Sequence, residues 1–206
     1  LALLAEEGVS GVLVDVSARS IALDDVLDAV AGRPVCFVNR WEWPVPVSLP
    51  AVLVDGVSAY RRALQYFLEE QYERVLFVGH HPEPAWHIRA SLEAAADAAG
   101  LGFPSARLQY VWVGEPEERE ERIRDLFDGA RPRPAMLGAS DRVLFDFLNR
   151  LKRIVPDMDG RGCCGFWDTL WSRQWFMPFH SFRVDFGEMW NAALAKVLES
   201  ERRGRV

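Results

Sequence analysis

At 206 residues, the chain is long enough to bury one large core or two small ones, and half of its residues are apolar. Its formal net charge of −6 argues against nucleic-acid binding through a basic face of this chain. No apolar run reaches the roughly 18 residues of a membrane span, and no signal-peptide pattern occurs at the start. The three cysteines lack the spacing of a zinc site or a disulfide framework, so we expect a reducing, cytoplasmic location.

Seven short apolar runs recur along the chain and predict β-strands. Most of them are continuously apolar rather than alternating, which is typical of parallel strands that are covered on both faces. The predicted strands are residues 11–16, 34–38, 51–55, 74–79, 107–113, 134–140 and 162–166.

Amphipathic patterns lie between these runs and predict helices. One helical face between residues 58 and 70 carries Tyr60, Ala63, Leu64, Phe67 and Leu68. A second apolar stripe, in the last predicted helix, consists of Phe186, Met189, Trp190, Ala193, Leu194 and Val197. Because strands and helices alternate with short connections, the sequence predicts right-handed βαβ units and a doubly wound α/β fold.

Polar and aromatic residues directly follow several of the predicted strands. Ligands of doubly wound sheets bind at the carboxyl ends of the strands, so these residues are the candidates for a binding site. The candidate positions are Asn39 with Arg40, Asp55, the segment 80–89 that contains Trp86 and Arg89, Ser140 with Asp141, and Trp167 with Asp168 and Thr169.

The order and spacing of these segments resemble the effector-binding core of lactose-repressor-type (LacI/GalR) transcriptional regulators. The matching segments cover nearly the whole chain and include LLAEEGVSGVLV, PRPAMLGASDRVLFDFLNRLK and FRVDFGEMW. The resemblance implies a two-lobed, periplasmic-binding-protein-like (type I) fold in which each lobe is a parallel doubly wound sheet. It also implies an N-terminal lobe of residues 1–55 and 184–206 and a C-terminal lobe of residues 56–183.

The resemblance further implies that the first lobe is incomplete in this chain. In the family pattern, the DNA-binding headpiece, the hinge helix and the opening βαβ unit lie upstream of Leu1, and a final strand follows Val206. We therefore expect contact with operator DNA to be made through a headpiece outside these residues.

The same resemblance implies a function in transcription regulation, as a repressor core. In the family, a small molecule binds between the lobes of a homodimer, so we expect a sugar or nucleoside-like effector, a homodimer and no cofactor. An alternative is an extracytoplasmic solute-binding protein of an ABC transporter, although the adjacent free cysteines argue against it. No GxSxG elbow, P-loop or HExxH pattern occurs. We also expect no dinucleotide-binding turn, and therefore no enzymatic activity.

Arg89 and Ser140 match positions that contact ligand in the family. The guanidinium fork of Arg89 suits two ligand oxygens, and the alternative is a solvated helix arginine. Ser140 has two roles open to it, ligand contact and N-cap of the following helix. Asp141, its partner in the family pattern, is implied to organise the start of that helix.

Asn39, Arg40 and Trp86 are three further candidates, and two interpretations are open for Asn39 and for Trp86. Asn39 and Arg40 occupy the place of a family Asp-Arg pair, where Asn39 could bind ligand hydroxyls or its own loop backbone. Trp86 could stack on a sugar or base face, or simply cover the surface of its lobe.

Trp167 departs from the family pattern, which usually reads Gly-Phe-Asp-Asp-Thr with a ligand-binding first Asp. Here an indole replaces that carboxylate, while Asp168 and Thr169 remain and are expected to serve the turn. An indole offers a flat apolar face and one donor. The pocket therefore either prefers a flatter or less hydroxylated ligand than a free sugar, or is filled by Trp167. Val184 is a second apolar change, at a family Gln.

The remaining cysteines and histidines have simpler interpretations. Cys163 and Cys164 are adjacent in a predicted strand and should point to opposite faces as buried apolar residues. His80, His81 and His87 lie in or beside a proline-containing loop without the helical spacing of zinc enzymes, so we expect no metal site.

Overall fold

The computed structural model describes residues 9–15, 23–30, 32–38, 49–84, 86–112, 114, 120–127, 132–173 and 178–204. Its strands are β1 (Val12–Asp15), β2 (Val35–Val38), β3 (Ala51–Val52), β4 (Val75–Gly79), β5 (Leu108–Trp112), β6 (Ala135–Gly138), β7 (Cys163–Phe166) and β8 (His180–Phe182). Its α-helices are α1 (Leu23–Ala29), α2 (Gly56–Glu69), α3 (Trp86–Ala98), α4 (Glu120–Leu126), α5 (Asp141–Ile154) and α6 (Phe186–Gly204). A short 3-10 helix, Leu170–Arg173, follows β7.

The chain divides into two compact units. Unit 1 consists of Leu1–Val54 and Asp185–Val206, and unit 2 consists of Asp55–Val184. Each unit contains one sheet whose strand pairs are all parallel. Within the described ranges, no helix has the length and apolarity that a membrane crossing requires.

The sheet of unit 1 has the strand order β1-β2-β3 and is covered on both faces. Phe37 of β2 packs with Val26 and Val30 of the α1 segment on one face. Its strand neighbours Cys36 and Val38 pack with α6 on the other face, because consecutive residues of a strand point to opposite sides.

The apolar stripe of α6 is narrower than the sequence predicts. Met189, Ala193 and Val197 are buried, and they repeat every four residues along the helix. Phe186 and Leu194 of the same stripe are 45% and 47% exposed. A helix that packs on three short described strands buries only a narrow row of its side chains.

The sheet of unit 2 has the strand order β5-β4-β6-β7-β8. Along β4, Leu76 and Val78 pack on the side of α4 and α5, and Val75 and Phe77 pack on the side of α2 and α3. All five residues of β4 are buried, as expected of a central strand between two helical layers. The predicted α/β class with parallel, doubly wound sheets is confirmed.

Two strands differ from the sequence prediction. β3 ends at Val52 rather than at residue 55, because the Asp55 carboxylate caps α2 by accepting a hydrogen bond from the Ser58 amide at 3.0 Å. β8 was not predicted, because its three residues, half-buried or exposed, form no apolar run. It nevertheless extends the sheet beyond β7.

The paired cysteines lie on opposite faces of β7, as predicted. Cys163 belongs to the core on the α4 and α5 side, and Cys164 belongs to the core on the α2 and α3 side. All three cysteines are free and buried. Burial raises the pKa of the Cys163 thiol strongly and that of Cys164 to about 12, so the reactive thiolate form is suppressed.

This burial predicts slow thiol chemistry in the native protein. Cys36, Cys163 and Cys164 should react with a disulfide reagent such as DTNB only when the fold opens, because neither solvent nor reagent reaches the sulfur atoms. The release of thionitrobenzoate, followed by absorbance, should be slow in buffer and immediate in guanidinium chloride. A fast phase in buffer would contradict the packing of β2 or β7.

Candidate functional site

The carboxyl ends of β6, β7 and β8 lie side by side at one edge of the unit 2 sheet, since these strands are parallel neighbours. Ser140 and Asp141 follow β6, and Trp167, Asp168 and Thr169 follow β7. The structure therefore brings together two groups of candidate residues that are separated in the sequence. Val184 follows β8 at the same edge and is half-buried.

Ser140 is the N-cap of α5. Its backbone is extended, with φ −155° and ψ 164°, and its Oγ accepts a hydrogen bond from the Val143 amide at 3.3 Å. The N-cap interpretation is thus confirmed. A hydroxyl that accepts one hydrogen bond still has a proton to donate and a second lone pair, so ligand contact by Ser140 stays a prediction.

Asp141 has a different role from the one that the resemblance implied. Its side chain does not organise the helix start but is fully buried and reaches the neighbouring strand ends. Oδ2 accepts hydrogen bonds from the Thr169 amide at 2.6 Å and from Thr169 Oγ1 at 3.0 Å. Oδ1 accepts a hydrogen bond from Ser181 Oγ at 2.6 Å. Burial raises the pKa of the Asp141 carboxyl, and the hydrogen bonds from Ser181 and Thr169 partly oppose that rise.

The turn after β7 has an uncommon backbone. Trp167 and Asp168 have φ values of +94° and +46°, a region that non-glycine residues rarely adopt. The turn is held by β8, because the Trp167 amide donates to the Phe182 carbonyl at 2.8 Å and the Asp168 amide donates to Ser181 Oγ at 2.9 Å. For a residue as bulky as Trp167, such a φ value is a strained conformation that the surrounding contacts impose.

The Trp167 side chain is half-buried and packs against the core on the α2 and α3 side of unit 2. The Asp168 carboxylate pairs with the Arg173 guanidinium at 2.7 Å. That pair is partly solvent-exposed and contributes little stability on its own.

Of the other predicted ligand contacts, Arg89, Trp86, Asn39 and Arg40, the structure describes the side chain of Arg89 alone. Arg89 lies in the first half of α3, where its Nε is 3.0 Å from Glu93 Oε1 and its side chain is 51% exposed. Its contact with a ligand stays a prediction. Trp86 begins α3, but its side chain falls outside the described residues, as do Asn39 and Arg40 entirely.

The described residues show neither a metal site nor a nucleotide-binding turn. Among the residues with described positions, no group of three His, Cys, Asp or Glu side chains could hold a metal ion. The string GRGCCG, Gly160 to Gly165, does have the spacing GxGxxG, contrary to the expectation that no such turn occurs. It leads into β7 instead of connecting a strand to a helix, so it does not form the phosphate-binding turn.

Sequence reasoning missed Ser181 and Gly165 as parts of this site. A Cβ atom at Gly165 would fall well inside contact distance of Asp141 Oδ1 and would also meet the Phe179 ring. Glycine at this position is therefore what lets the carboxylate lie over β7. The one available signal was the glycine inside an apolar strand, which often marks a close approach of another group.

The strained turn predicts an unusual order of stability at position 167. Trp167→Ala removes the packing of the indole but keeps a β-carbon at φ +94°, whereas Trp167→Gly removes both. The glycine variant should therefore be the more stable of the two by about 1 kcal/mol. Urea denaturation of the two variants measures this difference, and an alanine variant as stable as the glycine variant would contradict the backbone assignment.

Comparison with known proteins gives structural matches only. No family model matches the sequence, and no curated protein matches it. A LacI transcriptional regulator from a Rhodococcus species matches with a TM-score of 0.71 at 21% identity, over 98% of this chain and 73% of its own.

Two further matches are sugar complexes. The regulator CelR in complex with cellobiose matches with a TM-score of 0.66 at 22% identity, over 97% of this chain and 62% of its own. A LacI-family regulator from Lactobacillus casei with bound sucrose matches with a TM-score of 0.62 at 19% identity, over 94% of this chain and 72% of its own. The predicted resemblance is confirmed at the level of the fold: this chain has the periplasmic-binding-protein-like fold of LacI-family transcriptional regulators.

Proposed function

We propose that this chain is the effector-binding and dimerisation core of a transcriptional regulator of the LacI type, and that its effector is a sugar or a related metabolite. The observation that carries the proposal is the fold, which it shares over nearly its whole length with regulators, two of them bound to cellobiose and sucrose. The order of the strand-end residues in the sequence supports the same conclusion.

The effector site that we propose lies at the carboxyl ends of β6 and β7. The Ser140 hydroxyl can donate to a ligand oxygen, and the Trp167 indole can stack on the apolar face of a sugar ring. Arg89, Trp86, Asn39, Arg40 and Asp168 are the further proposed contacts.

The replacement of a carboxylate by Trp167 sets the expected preference of the site. A carboxylate accepts hydrogen bonds from neighbouring hydroxyls, whereas an indole accepts none and favours flat apolar surfaces. We therefore expect a ligand with an accessible apolar face, such as a glycoside or a nucleoside-like molecule, to bind better than a small free sugar. The ligand acts by its different affinity for two conformations of the regulator and undergoes no chemical change.

Operator binding would be the task of a module outside these residues. The chain itself carries a net charge of −6, which opposes a DNA interface on its own surface. Neutralisation of phosphates by Lys and Arg is what supplies most of the affinity of such interfaces.

This function predicts thermal stabilisation by a carbohydrate. We would screen cellobiose, sucrose, glucose and a panel of nucleosides by differential scanning fluorimetry. A ligand at 100 times its Kd adds about 2.7 kcal/mol to the free energy of unfolding, and each kcal/mol raises Tm by roughly 2–4 °C in a chain of this size. In the full-length protein, a ligand that raises Tm should also change the retention of DNA from upstream of its own gene.

Two variants separate binding at the proposed site from binding elsewhere. Trp167→Ala should abolish the rise in Tm, whereas Trp190→Phe, which changes an aromatic residue of α6 in unit 1, should leave it intact. Stabilisation that survives in Trp167→Ala would rule out the proposed site. If every compound leaves Tm and DNA retention unchanged, the effector hypothesis fails.

An apolar patch on unit 2 supports the proposed homodimer. Leu170 is 77% exposed and Trp171 is 39% exposed. The centroid of the Trp171 ring lies 5.0 Å from that of Phe145 on α5. An exposed apolar patch of this kind can pack against its own copy across a two-fold axis.

The homodimer proposal predicts a change of mass in one variant and not in another. Leu170→Asp should convert a dimer into a monomer, because it places a charge at the centre of the patch. Leu194→Asp, which changes an exposed leucine of unit 1, should leave the dimer intact. Light scattering coupled to gel filtration measures both masses. A monomeric parent protein, or a dimer that Leu194→Asp dissociates, would contradict the patch as the interface.

A further inference from the structure

We propose that Asp141 is the positioning residue of the effector site: its carboxylate holds the turn from Trp167 to Thr169, in which Trp167 and Asp168 have positive φ, and thereby sets where the Trp167 indole lies. Asp141 is fully buried, so it acts on a ligand only through that turn. The ligand part of this inference rests on the proposed function, whereas the part about the turn does not.

The first argument is the convergence of donors on one carboxylate. Thr169 donates its amide and its hydroxyl to Oδ2, and Ser181 donates its hydroxyl to Oδ1. Ser181 Oγ in turn accepts the Asp168 amide, and Thr169 Oγ1 accepts the Trp171 amide. Hydrogen bonds therefore connect the backbone amides of residues 168, 169 and 171 to the Asp141 carboxylate, either directly or through one hydroxyl.

The second argument is that the Thr169 amide requires an acceptor at this place. A backbone N–H can only donate, and Oδ2 of Asp141 accepts it together with the Thr169 hydroxyl, while Oδ1 accepts the Ser181 hydroxyl. An amide of the same shape keeps only one acceptor atom, so at least one of these bonds is lost or reversed in polarity. Gly165 leaves the space that the carboxylate occupies, because any larger residue there would displace Oδ1.

The third argument concerns the conformation itself. Two consecutive non-glycine residues at positive φ persist only where surrounding contacts over-determine them. The Trp167 amide is tied to β8 directly, and the next two amides are tied to Asp141. Loss of these contacts would let the turn relax, and the Trp167 side chain would move with it.

The test uses two variants of the network and one matched control. Ser181→Ala removes one donor and leaves Asp141 with both bonds from Thr169, so it is the variant that should fold normally. Asp141→Asn replaces one carboxylate oxygen, which accepts hydrogen bonds, by an NH2 group, which donates them. Asp146→Asn changes another acid of the same helix, one that pairs with Arg142 on the surface.

The first readout is the ¹⁹F NMR spectrum of protein labelled with 5-fluorotryptophan. The resonance of Trp167 is assigned by its loss in Trp167→Phe. It should shift in Ser181→Ala and in Asp141→Asn, while the resonance of Trp190 in unit 1 stays in place. Asp146→Asn should leave both unchanged. A Trp167 resonance that does not move in Ser181→Ala, or that moves equally in Asp146→Asn, would overturn the proposal.

The second readout is the stability difference between glycine and alanine at position 167. In the parent protein this difference corresponds to a factor of about five in the unfolding equilibrium constant. In a Ser181→Ala background it should fall to near unity, because a relaxed turn no longer penalises the β-carbon. If Ser181→Ala only lowered the stability of the whole unit, the ratio between the glycine and alanine variants would remain about five. That result would contradict the positioning role of Asp141.

The two proposals fail in distinguishable ways. If no carbohydrate binds but both readouts change, the effector hypothesis is lost and Asp141 still positions the turn. If a carbohydrate binds to the parent and equally well to Ser181→Ala, Asp141 does not set the position of the indole in the site. Should Asp141→Asn fail to fold, Ser181→Ala alone decides the outcome.

Discussion

The coverage of a parallel sheet on both faces is the constraint on which unit 2 depends. Consecutive residues of β4, such as Leu76 and Phe77, must both be apolar because each one enters a different helical layer. Because all of its side chains are buried, such a strand cannot present a ligand-binding or reactive side chain to solvent along its length. Along the buried strands β4, β6 and β7, polar side chains therefore follow the strand ends, and the residues that follow β6 and β7 are the ones that could acquire a function.

At those strand ends, the candidate ligand contacts and the supporting contacts belong to different residues. Ser140 and Trp167, which are both half-buried, are the candidate contacts. Asp141 has no solvent exposure and supports them from within the unit. A buried carboxylate is tolerated there because each bond it accepts replaces a lost hydration contact. At this edge of the sheet, a backbone conformation that is unfavourable in isolation is held by hydrogen bonds to its neighbours.

The sequence predicts the parallel strands well, because continuous apolar runs such as that around Val75 leave few alternatives. It predicts the candidate positions through their place after the strands and through the family resemblance. It could not predict β8, whose pairing with β7 comes from tertiary contact and not from its own composition. Nor could it assign Asp141, because an acid after a strand also suits a helix cap, and only the positions of Thr169 and Ser181 decide between the two roles.

The close approach of Gly165 to the Asp141 carboxylate has a consequence for sequence variation. These two residues lie in different elements, yet a side chain at one position removes the space that the other requires. In related sequences a residue larger than glycine at position 165 should consequently occur only where position 141 no longer carries this carboxylate. This constraint comes from the internal packing of unit 2, so it should hold whatever residue occupies position 167.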